Sequence, residues 1–98
     1  MKIMISQPMR SKTEKQIRED TERVIEILEK QGHEVVDTIF AEEPPKNCDV
    51  ALYYLSKSIE AISKVDGLVF MPGYENARGC QIEHMCAVKY GKFIKYIE

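Results

Sequence analysis

Residues 66–83, DGLVFMPGYENARGCQIE, change structural character twice within a short span, and the fold follows from how they are read. GLVFM (67–71) is an unbroken apolar run of strand length, the pattern of a strand buried on both faces of a parallel sheet. PGYENARG (72–79) is a cluster of turn formers. Beyond it Ile82, Met85, Cys86 and Tyr90 recur at helical spacing until Gly91, which predicts a helix, and FIKYI (93–97) predicts another strand. Strand, loop, helix and strand in that order make one βαβ unit with parallel pairing.

Toward the amino terminus the same alternation repeats. KIMIS (2–6) is an apolar strand that stops at Gln7 and Pro8. Thr13-Glu14-Lys15-Gln16 has the form of a capping box, and Ile17, Val24, Ile25 and Leu28 then keep helical spacing as far as Gly32. EVVDTIF (34–40) reads as a second strand, and residues 41–47, with Pro44 and Pro45 together, read as an extended loop. Asn47 or Asp49 is placed to cap a helix over about 49–64, with Ala51, Leu55, Ile59 and Ile62 as its apolar face. The order βαβαβαβ predicts a small Rossmann/flavodoxin-like three-layer α/β domain with a four-stranded parallel sheet and right-handed crossovers. No repeat or low-complexity segment interrupts it.

Composition limits what such a chain does. Its 98 residues suit one domain over 1–98, and 44% hydrophobic with 31% charged residues is a folding composition, too apolar for disorder. A net charge of -2 with acids and bases interspersed leaves no basic stripe, so a nucleic acid polymer is not an expected partner. Cys48, Cys80 and Cys86 are odd in number and lack CxxC spacing, which argues against a disulfide framework or zinc site and for reduced, buried thiols. No apolar run approaches the roughly 18 residues that cross a bilayer, so a cytoplasmic location away from membranes is expected. A domain of this size buries only somewhat over about 60% of its unfolded surface, so an enclosed site is hard to build from one copy. A homodimer or larger homo-oligomer is therefore expected.

Ligands of doubly wound folds bind at the carboxyl ends of the strands, which directs attention to SQPMRSKT and MPGYENARGCQIE. In the first, Ser6, Gln7, Met9, Arg10 and Ser11 precede a helix amino terminus, where free N–H groups favour a phosphate or sugar hydroxyl; a polar turn with a helix cap explains them equally well. In the second, Gly73 and Gly79 permit close backbone approach, Asn76 and Arg78 are directional donors, and Glu83 lies one turn beyond Gly79 on the same face, with Ala87 continuing the line. Small residues on both sides of Glu83 and a position in the first turn would favour an ionised, nucleophilic carboxylate; an ordinary acidic residue in a first turn is the plainer explanation. Tyr74 and Glu75 lie in the same loop. His84 points about 100° around the helix from Glu83, so a Glu–His pair is not expected. Cys80, near a helix amino terminus but without a histidine partner, reads as a small buried thiol. Tyr53 and Tyr54 are expected to split between core and surface.

SQPMR after the first strand, KVDGLVFMPG and ARGCQIEHMCA together resemble the nucleoside 2-deoxyribosyltransferase-like proteins over nearly the whole chain, most closely a short bacterial and phage branch. The most specific part of the resemblance is Gly79, Glu83 and Ala87 at four-residue spacing, after a strand that begins near Asp66. It implies a Rossmann-type fold, a homo-oligomer, and cleavage or transfer at the N-glycosidic bond of a nucleoside or nucleotide without metal or organic cofactor. Glu83 would attack the anomeric carbon to give a glycosyl ester, by the logic of retaining glycosidases. Ser58 stands where many members have an aspartate, and Ala77 where the family's nucleoside monophosphate hydrolases tend to have a phosphate-binding serine. Ser58 would be an auxiliary, and Ser6 to Arg10 with Gly73 to Gly79 would line the pocket. The alternatives are a nucleotide-binding sensor or sequestering protein without turnover, and an assembly module with a vestigial site.

Overall fold

The apolar runs KIMIS and GLVF become central strands buried from both sides, while EVV and FIKY form half-buried edge strands. The computed structural model describes residues 1–9, 12–36 and 43–98. Its elements are β1 (Lys2–Ser6), α1 (Glu14–Lys30), β2 (Glu34–Val36), α2 (Val50–Ile62), β3 (Gly67–Phe70), a 3-10 turn (Tyr74–Asn76), α3 (Arg78–Lys89) and β4 (Phe93–Tyr96). The four strands form one parallel sheet in the order β2-β1-β3-β4, that of a flavodoxin-like sheet one strand short.

Alternation along the strands divides the core in two. Ile3, Ile5, Val69 and Met71 meet Val24 and Leu28 of α1 on one face. Met4, Leu68 and Phe70 meet Ile62 of α2, Val65 and Ala87 of α3 on the other. The result is a three-layer α/β/α domain. Phe70, at 0% exposure, is the largest side chain sealed in the second layer, and its truncation to alanine would cost about 3–5 kcal/mol.

Local signals start and stop the helices. Thr13 caps α1 through the capping box, its hydroxyl taking the Gln16 N–H while the Gln16 side chain takes the Thr13 N–H. Asp49 rather than Asn47 caps α2, accepting from the Leu52 N–H at 3.0 Å, and Asn47 instead adopts φ 62°.

Several expectations need correction. β2 is seen over Glu34–Val36, and the rest of the expected strand, 37–40, lies outside the described residues. The predicted apolar face of α2 is only partly buried: Ile62 is buried and Leu55 half-buried, but Ala51 and Ile59 are exposed. Of the cysteines only Cys80 is buried; Cys86 is half-buried and Cys48 exposed. Gly67, which the sequence reading did not single out, is where backbones approach closely: a Cβ there would lie 2.8 Å from both Cβ and the carbonyl oxygen of Phe93.

The chain runs from β1 outward to β2 and then crosses back to β3, so the connections leaving β1 and β3 diverge. The crevice between their carboxyl ends is the topological switch point. Ser6 and Phe70 end these strands side by side in register.

Candidate functional site

Two residues distant in sequence meet at that crevice. Ser6 closes β1 on the face that α2 and α3 cover, and α3 returns over the same edge carrying Glu83. The Ser6 Oγ donates to Glu83 Oε1 at 2.8 Å, with Ser6 1% and Glu83 7% exposed. No described residue bonds the second oxygen, and no fully buried side-chain oxygen or nitrogen among the described residues lacks a partner, so Oε2 keeps some access to solvent. One oxygen is held by Ser6, and no described residue bonds the other.

Electrostatics depart from the sequence expectation. α3 begins at Arg78, which makes Glu83 its sixth residue, beyond the first turn where the helix dipole acts strongly. Burial prevails and pushes the Glu83 carboxyl above its ordinary range, while the Ser6 hydrogen bond pulls it part of the way back. Cys80, buried beside the same pair, behaves similarly: burial pushes its thiol up, the Ser6 hydroxyl lowers it, the Glu83 charge raises it and Lys12 lowers it. It is a protonated thiol, not a nucleophile.

The loop between β3 and α3 is shaped by Gly73, whose φ of +90° is left-handed and open to glycine at no steric cost. Close approach is not its role, because an added Cβ would meet only Pro8 Cγ, at 3.6 Å. Gly79 likewise has no neighbouring atom of the described residues within 4 Å of an added Cβ, so close backbone approach is not its role either. Asn76 and Arg78 are exposed at the rim. Ala77 provides no side-chain cap for α3, so no side chain at that position takes up the helix's first amides.

The other sequence-predicted residues fare unequally. Gln7 is committed to α1, donating to the Ile17 carbonyl at 3.4 Å and accepting from the Thr21 hydroxyl. Met9 is 64% exposed. Arg10 and Ser11 lie outside the described residues. Ser58 is half-buried on α2, and no hydrogen bond among the described residues joins it to Glu83. Asp66 is at the opposite end of the sheet, where it accepts from the Lys2 N–H at 2.8 Å. A shallow hollow of about 490 Å³ over Glu22, Ile25, Glu26, Glu29 and Lys30 on α1 contains none of these groups.

An aromatic cluster adjoins the pair and was not anticipated. Phe70, Tyr74, His84 and Tyr96 lie with all ring centroids between 5.0 and 6.0 Å of one another. His84 Nε2 and the Tyr96 hydroxyl are 2.7 Å apart, so His84 turns away from Glu83, as its helical position implied. Burial, then the neighbouring Tyr96 and Glu75, push the Tyr74 phenol up and keep it protonated. No helix among the described residues is long and apolar enough to cross a membrane, and among them no group of three or more His, Cys, Asp or Glu comes together to hold a metal ion.

Residues 1–96 match the model of a family described as a domain of unknown function (DUF4406). No curated protein matches the chain.

Proposed function

We propose that this chain, which belongs to the DUF4406 family, cleaves or transfers at the N-glycosidic bond of a nucleoside or nucleotide, with Glu83 as nucleophile and Ser6 as its positioning residue. One observation carries the reading: a carboxylate 7% exposed stands at the switch point of the sheet, one oxygen held by Ser6 and the other without a hydrogen bond from any described residue. Glutamates are almost never buried without a partner, and burying this one costs stability at the place where doubly wound folds take their ligands. The likeness of SQPMR, KVDGLVFMPG and ARGCQIEHMCA to nucleoside 2-deoxyribosyltransferase-like proteins supports the same bond and residue.

The chemistry is a double displacement. Oε2 of ionised Glu83 forms a bond to the anomeric carbon as the carbon–nitrogen bond breaks, and the departing base keeps that electron pair and takes a proton from solvent. Water or a second base then displaces Glu83 from the sugar ester. Ser6 holds Oε1 so that Oε2 attacks from a fixed position. The side of α3 at Gly79, where an added Cβ would meet no described residue within 4 Å, is where the sugar would enter, and the first amides of α3 and Arg78 suit a 5'-phosphate.

A second reading, a nucleotide-binding protein without turnover, is favoured by a specific observation. No hydrogen bond among the described residues gives Glu83 a second carboxylate or an imidazole as partner; its partner is the Ser6 hydroxyl, which is a poor acid or base. In either case a domain this small encloses little in one copy, and the exposed Leu52, Ile59, Met85 and Val88 on α2 and α3 offer an apolar surface on which a homo-oligomer would pack.

The test is incubation with ribo- and deoxyribonucleosides and their 5'-monophosphates, with and without a second base, followed by chromatography. Base release or exchange that Glu83→Ala abolishes is the expected result. A silent panel with ligand still bound would move the assignment to the second reading.

A further inference from the structure

The row of residues along the carboxyl edge extends beyond the nucleophile. Ser6, Phe70 and Tyr96 are register partners on three adjacent strands, β1, β3 and β4, so their side chains share one sheet face. α3 lies over that face, with Glu83 against Ser6 and the next residue, His84, among Phe70 and Tyr96. Tyr74 comes in from the loop after β3 and stacks on Tyr96, with centroids 5.4 Å apart and planes 27° from parallel.

The cluster is layered. Phe70 is 0% exposed and forms the floor, Tyr74 and His84 are half-buried, and Tyr96 keeps 49% of its surface open. Packing alone would be served by aliphatic or phenyl side chains, yet three of these four rings have polar tips and stand at the solvent edge. The His84–Tyr96 bond fixes two of the rings by their edges, and Tyr96, stacked on Tyr74, still keeps 49% of its surface open to solvent.

We propose that Tyr74, His84 and Tyr96 form a wall that receives the planar ring of a nucleobase, next to Glu83. This rests on the reading of Glu83 as nucleophile toward an N-glycosidic bond. The base leaves from the side of the anomeric carbon opposite the attacking oxygen, so it needs a surface beside the carboxylate, not on it. Two strand spacings separate Ser6 from Tyr96, about 10 Å, a span that a sugar and its base fill. Aromatic rings recognise bases through their π faces with little regard to sequence, so the wall selects for a flat heteroaromatic ring more than for one base.

The experiment uses the wild-type chain, whose aromatic ring protons are followed by NMR during titration with adenine, thymine and 2-deoxyribose separately. The bases are expected to shift the ring signals of Tyr96, His84 and Tyr74, and the sugar to leave them in place. Tyr96→Leu, checked for folding by circular dichroism, is expected to weaken base binding about tenfold, whereas Tyr96→Phe, which keeps the ring and loses only the hydroxyl, retains it. Glu83→Ala still binds base. Bases that leave these signals unmoved, a sugar that moves them equally, or a folded Tyr96→Leu that binds base as tightly as wild type each overturn the proposal. If Tyr96→Leu does not fold, the wild-type shifts decide. Base binding at the wall without nucleoside cleavage would refute the catalytic reading alone; cleavage with silent ring signals would refute the wall alone.

Discussion

Replacing Ser6 by alanine removes a single hydroxyl, 2.8 Å from a carboxylate oxygen, at a residue 1% exposed where water has little access. A hydrogen bond to a charged group contributes about 1.5–3 kcal/mol and one between neutral groups about 0.5–1.5 kcal/mol. Ser6→Ala should therefore cost about 1 kcal/mol when Glu83 is protonated and about 2 kcal/mol when it is ionised. The sign follows from linkage. Burial raises the folded-state pKa of Glu83 above the roughly 4.3 of an unfolded glutamate, so the folded state holds the proton more tightly. The stability tied to this group is full below the unfolded pKa and declines as pH rises through the folded one. Ser6 opposes that decline, and Ser6→Ala should make it steeper. Urea unfolding of both proteins at about pH 4 and about pH 8 measures the difference, and a Glu83→Gln background, where the pH dependence of the Ser6 effect should vanish, completes a double-mutant cycle. An equal loss at both pH values in the Glu83 background would refute the argument that Ser6 stabilises the charged carboxylate.

Glu83→Gln should abolish turnover yet raise stability at neutral pH by about 0.5–2 kcal/mol, because it removes a buried charge while keeping the shape; thermal unfolding that shows a loss would contradict this. On the proposed mechanism, in which Glu83 ionises to attack, the rate should rise with pH along a limb displaced above the ordinary carboxylate range, and Ser6→Ala should move that limb further up; a limb at about pH 4 would count against Glu83 as the group observed. Gly67→Ala should destabilise by about 1–3 kcal/mol, because its methyl would meet Phe93 at 2.8 Å, and denaturant titration reads it. Gly79→Ala meets nothing within 4 Å and should leave stability unchanged or raise it by up to about 1 kcal/mol, while raising KM if the sugar enters across that face.

The fold was legible because its signals are local. An apolar run such as GLVFM and a capping box such as Thr13–Gln16 carry their meaning within a few residues, and their alternation leaves few topologies. Glu83 was legible for the same reason, as a carboxylate between small residues one turn away on either side. What Glu83 experiences was not. Its position beyond the first turn of α3 depends on where Ala77 ends the loop, and its raised pKa depends on burial that only the assembled sheet creates. Gln7 looked like a ligand residue because a polar side chain after a strand does not announce that Thr21, fourteen positions on, will engage it. The ring cluster was invisible for a similar reason: Tyr74, His84 and Tyr96 follow no periodicity and converge only through the pairing of β3 with β4.

The Ser6–Glu83 hydrogen bond spans 77 positions of the chain. As the polypeptide leaves the ribosome the serine is made early and the glutamate late, so no shorter folded piece contains both halves of the pair. A break anywhere between them would leave one fragment holding the clamp and the other the carboxylate. Split in this way, the two fragments would restore the buried pair only when α3 is seated again over the end of β1.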